Sequence, residues 1–326
     1  VYHGWKFDVS GACTDMPNEP AESNFRHKIH IGAYPAAEWG GLVWVYMGPA
    51  EKQPALPQVD WAMVPEGHCV IGKFFQKANY AQAEEGNLDS SHVGFLHRTM
   101  DPSLGMAPSQ RNRGALLLDS GAPQLTVAET EFGFVYGARR DAPDGNYFCR
   151  VTPFQVPCFS TVPGNTWPRL AHAIVPVDDE TSIWFEIQYN PFEPLPAGMR
   201  GSTVRLIAGT HVTYGSLEND YTIDRELQKT GNYTGILRGR EQDLAVVDSM
   251  TPILNRTVEH LGTADAAIIA YRRLLMRLAR ALEAGEEPWM ASHPEAYRVR
   301  PLDVVVPEAN LNGLIASHRA QVMVGF

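Results

Sequence analysis

Long apolar runs are absent: no stretch of the 326-residue chain approaches the ~20 residues that a membrane-spanning helix requires. Positive charge is in deficit, 27 Lys+Arg against 37 Asp+Glu, for a formal net charge of -10. Neither a nucleic acid nor a membrane surface is therefore expected as a partner. Cysteine is scarce, and Cys13, Cys69, Cys149 and Cys158 include no Cys-x-x-Cys pair. That excludes a disulfide framework and reads as the reduced thiols of a cytoplasmic protein. No Gly-x-Gly-x-x-Gly or phosphate-binding loop stands where a strand would pass into a helix, which argues against a doubly wound nucleotide-binding fold. Repeats and low-complexity segments are also missing.

Apolar residues make up 44% of the chain and charged residues 20%, ample for a packed core. The first 48 residues are rich in Gly and aromatics and carry short β-like runs such as Gly41 to Tyr46. A stretch punctuated by Pro49, Pro54, Pro57 and Pro65 follows and reads as a linker over 49–66. Beyond it, strand patterns are expected at 68–75, 125–130, 133–139, 170–177 and 181–189. In the last of these Ile183, Phe185, Ile187 and Tyr189 share one face of a half-buried strand. Helical patterns are expected at 79–91, 202–214, 238–260 and 264–284. In the last, Ile268, Tyr271, Leu275, Leu278 and Leu282 form the apolar stripe and the arginines a solvated face. The mixture predicts an α+β protein with an antiparallel sheet covered by helices.

The segment from Asn79 to His97 carries the chemistry. Asp89 and His92 are three apart, hence on one face of a helix, and His97 follows five later. The two imidazoles converge on one ion if the helix ends or bends between them. Two imidazoles and a carboxylate form the facial triad that leaves positions on Fe(II) open for O2 and substrate. On spacing alone, a metal site and ordinary histidines at a helix end are equally good readings.

The N-terminal residues Val1-Tyr2-His3-Gly4-Trp5-Lys6-Phe7-Asp8 resemble the second half of a Rieske iron–sulfur domain, in which two Cys and two His hold a [2Fe–2S] cluster. His3 would be one cluster ligand. A Cys is expected immediately before residue 1 and a Cys-x-His box further upstream, so the chain reads as N-terminally truncated. Cys13 sits where relatives often carry a structural Cys. Together with Asp89, His92, His97 and the later Arg240-Glu241-Gln242-Asp243, the whole chain resembles the oxygenase α subunit of the Rieske non-haem iron aromatic oxygenases. Within them it is most like the phthalate 4,5-dioxygenase/phenoxybenzoate dioxygenase branch.

That resemblance implies a Rieske remnant over 1–48 and a catalytic mononuclear iron domain of helix-grip (START/Bet v1-like) type over 67–326. It implies an Fe(II) held by His92, His97 and Asp243, the last 146 residues after His97, with Asp248 structural. Asp89 would be catalytic without being a ligand, holding His92 and receiving electrons from His3 of a neighbouring chain in a homotrimer or homohexamer. A reductase or ferredoxin would supply electrons from NAD(P)H, and the substrates would be O2 and a small aromatic, carboxylated or an aryl ether. Dioxygenation, monooxygenation and O-demethylation share this iron site and stay open. Without the upstream ligands, the chain as written is expected to be inactive with a reductase. For a carboxylated substrate the candidate cations are Arg98, Arg111, Arg113, Arg139, Arg140, Arg150 and Arg169. The other reading is a non-catalytic helix-grip ligand-binding protein with a vestigial metal site.

Overall fold

The computed structural model describes residues 2–100, 116, 121–164, 166–308 and 310–322. Arg111 and Arg113, two of the candidate cations, lie outside the described residues. The chain divides into two compact units, Val1–Ala55 and Leu56–Phe326.

The first unit is built from two small antiparallel ribbons. Strands β1 (Lys6–Phe7) and β2 (Cys13–Asp15) flank a turn in which Asp8 Oδ1 accepts from the backbone N–H of Ser10 and Ala12. β3 (Ala36–Trp39) and β4 (Leu42–Val45) are joined by Gly40-Gly41, both at positive φ, the two-residue turn whose twist suits a hairpin. Cys13 is buried and its Sγ faces Asp15 O at 3.4 Å. His3 is exposed, with its ring edge-on to Tyr2.

Among the described residues the second unit carries one eight-stranded antiparallel sheet. Its strands are β5 (Cys69–Gln76), β6 (Gln124–Thr130), β7 (Gly133–Asp141), β8 (Tyr147–Gln155), β9 (Phe159–Thr161), β10 (Arg169–Pro176), β11 (Ser182–Tyr189) and β12 (Leu302–Val306). Their order is β5-β11-β10-β9-β8-β7-β6, with β12 paired to β8. Four helices matter for the site and its support: α1 (Tyr80–Leu88), α2 (Val93–Leu96), α3 (Gly239–Ser249) and α4 (Ala266–Glu283). α4 lies over β6 and β7, and α1 packs on β10 and α4, so the fold is α+β with helices covering an antiparallel sheet. Among the described residues no helix is long and apolar enough to cross a membrane.

The core explains this layering. Phe74 of β5 stacks on Trp184 of β11 at 5.7 Å, and both join Ala83 of α1, Ile174 of β10, Val204 and Leu244 of α3 in one buried cluster. Tyr271 of α4 meets Phe154 of β8 edge-on at 4.9 Å. Four details depart from the sequence patterns. β11 is buried on both faces: Trp184 and Glu186, placed by alternation on a solvent side, are 3% and 0% exposed because α3 and the 201–204 segment cover them. The 202–214 stretch is irregular and not helical. Its start crosses β5 so closely that a Cβ on Gly72 would meet Ser202 N at 2.1 Å, and Val212 forms a bridge to Phe75. The expected 238–260 helix stops at Ser249, where Thr251 at φ 74 and Pro252 turn the chain. In α4 the buried face is Ala267, Tyr271 and Leu274, and Leu282 is exposed.

Candidate metal centre

The site forms where α1 ends. Asn79 caps α1 by accepting from Ala81 N–H, and the helix stops at Asp89, whose backbone is extended (φ -79, ψ 117). The break therefore lies before His92, not between His92 and His97 as helical phase had suggested. The freed Asp89 carboxylate accepts from Ser91 N–H at 2.6 Å and His92 N–H at 3.2 Å, which turns the chain into the one-turn helix α2. His92 and His97 stand at the two ends of α2, and their ring centroids lie 5.2 Å apart at 78°.

Asp243 reaches the same point from α3. Its Oδ1 lies 3.1 Å from His97 Nε2 and 3.6 Å from His92 Nε2. The three side chains offer donor atoms within 4.8 Å of one another, the spacing a single ion needs. Asp248 is not part of this trio; its Oδ1 accepts from Gln76 Nε2 at 2.9 Å, and burial pushes its carboxyl up to about 6.

The outer ring nitrogens decide whether the donors fit a metal. Gln242 Nε2 donates to Ile236 O at 2.7 Å, so its Oε1 is left to accept, and His97 Nδ1 stands 2.7 Å from it. His97 therefore carries its hydrogen on Nδ1 and keeps the Nε2 lone pair for the centre. His92 Nδ1 faces Asp89 Oδ2 at 3.5 Å, with the same consequence. Two Nε2 lone pairs and one carboxylate oxygen converge, a donor set that fits Fe(II).

Around the trio is a cavity of about 440 Å³ whose wall includes Asn87, Tyr136, Arg150, Ser160, Leu170 and His172. Arg150 is the only one of the described candidate cations that lines it. Its Nη2 donates to Pro163 O at 2.8 Å and its Nε lies 3.9 Å from Asp303 Oδ2. Those contacts leave other N–H donors of the five on a guanidinium for a ligand. Arg98 is exposed, Arg139 lies over the Tyr147 ring, Arg140 donates to Ser90 O and Arg169 to Pro301 O. His172 is fully buried, and burial and the adjacent Arg240 hold its pKa well below the ordinary value, so its ring is neutral.

Residue patterning did not single out Arg240, Gln242 or His172. The motif Arg240 to Asp243 contained two of them, but their roles depend on partners distant in the chain. Glu85, one turn before Asp89, is neither solvated nor part of the centre: Arg272 and Arg256 both bind its carboxylate. Arg272 of α4 is thus not on a purely solvated face.

Residues 45–312 match the family described as LigXa C-terminal domain like. The chain is 35% identical over 302 residues to the phthalate 4,5-dioxygenase oxygenase subunit of Pseudomonas putida, covering 88% of this chain and 68% of that protein. It is 33% identical over 304 residues to the 3-chlorobenzoate-3,4-dioxygenase oxygenase subunit of Comamonas testosteroni, covering 87% and 70%. Among solved structures, the terminal oxygenase of carbazole 1,9a-dioxygenase from Nocardioides aromaticivorans IC177 shares its fold. That match has a TM-score of 0.52 at 16% identity and covers 86% of this chain and 77% of that one.

Proposed function

The chain belongs to the oxygenase α subunits of the Rieske-type aromatic oxygenases, terminal oxygenases by class, and from that premise we propose that it acts on an aromatic carboxylate. In this reading His92, His97 and Asp243 hold one Fe(II), and Arg150 receives the carboxylate in the same cavity. The observation that carries it is the convergence of His92 Nε2, His97 Nε2 and Asp243 Oδ1 beside a buried guanidinium. Both relatives above are named for aromatic carboxylates, phthalate and 3-chlorobenzoate, which supports the substrate class. Family membership disfavours a non-catalytic ligand-binding role.

Iron at this centre would supply the redox activation of O2. The chain's own residues do the rest. Gln242 and Asp89 fix the two imidazoles so that each presents Nε2. Arg150 orients the ring by its carboxylate through charge-assisted hydrogen bonds in a low-dielectric wall, where they are strong. Leu170 and Tyr136 add an apolar and aromatic surface for the ring. We assign Asp89 the further role of receiving electrons from His3 of a neighbouring chain, within a homotrimer or homohexamer served by a reductase or ferredoxin. His3 would be one ligand of a [2Fe–2S] cluster in the Rieske part, residues 1–48, joined through 49–66 to the iron domain of 67–326.

Titration of the Co(II)-loaded protein with an aromatic carboxylate and with its uncharged amide tests this. The carboxylate should bind at least tenfold more tightly than the amide. Arg150→Gln should weaken it about 10- to 100-fold, the worth of a hydrogen bond to a charged group. Equal binding of acid and amide, or no effect of Arg150→Gln, would remove the carboxylate from the assignment.

A further inference from the structure

The two oxygens of Asp243 have different partners. Oδ1 faces both imidazoles, 3.1 Å from His97 Nε2 and 3.6 Å from His92 Nε2. Oδ2 accepts from Arg240 Nη1 at 3.1 Å, one helical turn earlier on α3. Arg240 is itself fixed from three other directions. Its Nη2 donates to His172 Nε2 at 2.9 Å, its Nε lies 3.4 Å from Glu186 Oε1, and its guanidinium covers the Trp184 ring at 4.7 Å.

None of these supports is soft. Trp184 Nε1 donates to Gln76 Oε1, and Gln76 Nε2 donates on to Asp248. Glu186 is fully buried and accepts from Thr203 N–H and Oγ1–H, both at 2.7 Å. A guanidinium cannot give up its proton in this setting, so it acts only as a donor, and His172 Nε2 must accept from it. Arg240 therefore cannot turn away from Asp243 without losing a hydrogen bond, an ion pair and an aromatic face together.

We propose that Arg240 is a positioning residue that engages Asp243 Oδ2, so that Asp243 offers the metal Oδ1 alone and one more coordination position stays open for an exogenous ligand. The proposal rests on the metal reading of the trio. A carboxylate with nothing on its second oxygen is free to chelate, and chelation would fill a position that oxygen or substrate needs. A role in merely holding Asp243 in place makes the opposite prediction for metal affinity, which allows the two to be separated.

The test uses apo-protein loaded with Co(II), read by direct titration and by the visible absorption of the ion, with azide as the exogenous ligand. Arg240→Met is paired with Glu186→Gln, so that the fully buried Glu186 carboxylate is not left without its cation. In the double variant, Co(II) should bind at least as tightly as in the parent, because Oδ2 is released and a nearby positive charge is gone. Its visible bands should weaken as a ligand is added, and azide affinity should fall about tenfold or more. Glu186→Gln alone, with Arg240 in place, should keep the parental spectrum, and Arg240→Lys should restore azide binding in part.

Co(II) binding weakened about 10- to 100-fold, the ordinary result of losing an orienting partner, with spectrum and azide affinity unchanged, would overturn the proposal. A parent protein that binds no Co(II) at all would instead refute the metal reading beneath it. If the double variant fails to fold by circular dichroism, Arg240→Lys alone decides: a spectrum and azide affinity equal to the parent's after loss of the planar fork, together with weaker Co(II) binding, would likewise overturn it.

Discussion

His97 Nδ1 and Gln242 Oε1 lie 2.7 Å apart, which means that α3 supplies both a donor to the centre, Asp243, and the group that orients a second donor beside it. The Gln242 amide cannot flip, because its Nε2 is committed to Ile236 O. Adjacent residues 242 and 243 thus set the tautomer of His97 and complete the trio at once.

Gln242→Leu should lower divalent-metal affinity about 10- to 100-fold while leaving the fold intact, because His97 loses the acceptor that fixes its tautomer. A chelator competition titration reads this. Gln242→Glu should retain most of the affinity, since an acceptor remains. Equal affinity in the Leu variant would mean that packing alone orients His97.

Asp89→Asn keeps the shape of the turn that Asp89 makes with Ser91 and His92 but removes its charge. In a protein that also carries the remaining cluster ligands, bound iron should be largely retained and NADH-coupled turnover with a reductase abolished. Iron per chain and coupled product formation are measured on the same preparation. Iron lost with coupling intact would show that Asp89 serves the metal and not the electrons.

Several strands and the two imidazole donors at the centre were legible in the sequence, because both signals are local; β8, β9 and β12 were not marked by it, and Asp243 was reached only through the family resemblance. Alternation marks strands such as 182–189, and Asp89, His92 and His97 sit within nine residues. What lay hidden is long-range. Whether Trp184 or Ile183 faces the covered layer depends on which helix lies over β11. Arg240 acquires its meaning only from His172, 68 residues away, and Glu186. The 202–214 segment has a helical spacing of apolar residues, yet its backbone is held by Glu186 and by the close crossing at Gly72. Tertiary contacts override local propensity there.

Two arginines of α4 should separate sharply in stability. Arg272 binds both Glu85 and Glu259, and Glu85 is largely buried. Arg272→Ala should cost about 1–3 kcal/mol, because it strips a charged partner from a buried carboxylate. Arg277 pairs with Glu129 on the open surface, both side chains more than half exposed, so Arg277→Ala should change stability by under about 1 kcal/mol. Urea denaturation of both variants checks the contrast. Equal losses would show that the Glu85 network contributes no more than a surface pair.

Glu84 carries the last prediction. Its carboxyl is buried behind the cavity wall, and neither oxygen has a partner in hydrogen-bonding geometry. Burial pushes its pKa from 4.5 up to about 8, with Ser160, Asn87 and the Arg240 charge only partly opposing the rise. The folded carboxyl keeps its proton to about pH 8, whereas the unfolded one loses it near 4.5. The folded state therefore binds more protons across that window, and this group's contribution to stability falls as pH rises through it, on the order of 1 kcal/mol per pH unit. Glu84→Gln removes the titration and keeps the volume. The variant should gain on the parent steadily from pH 5 to pH 8, read as the difference in Tm between the two proteins. A pH-independent difference would mean that Glu84 is ionised in the folded protein, and that a donor reaches it.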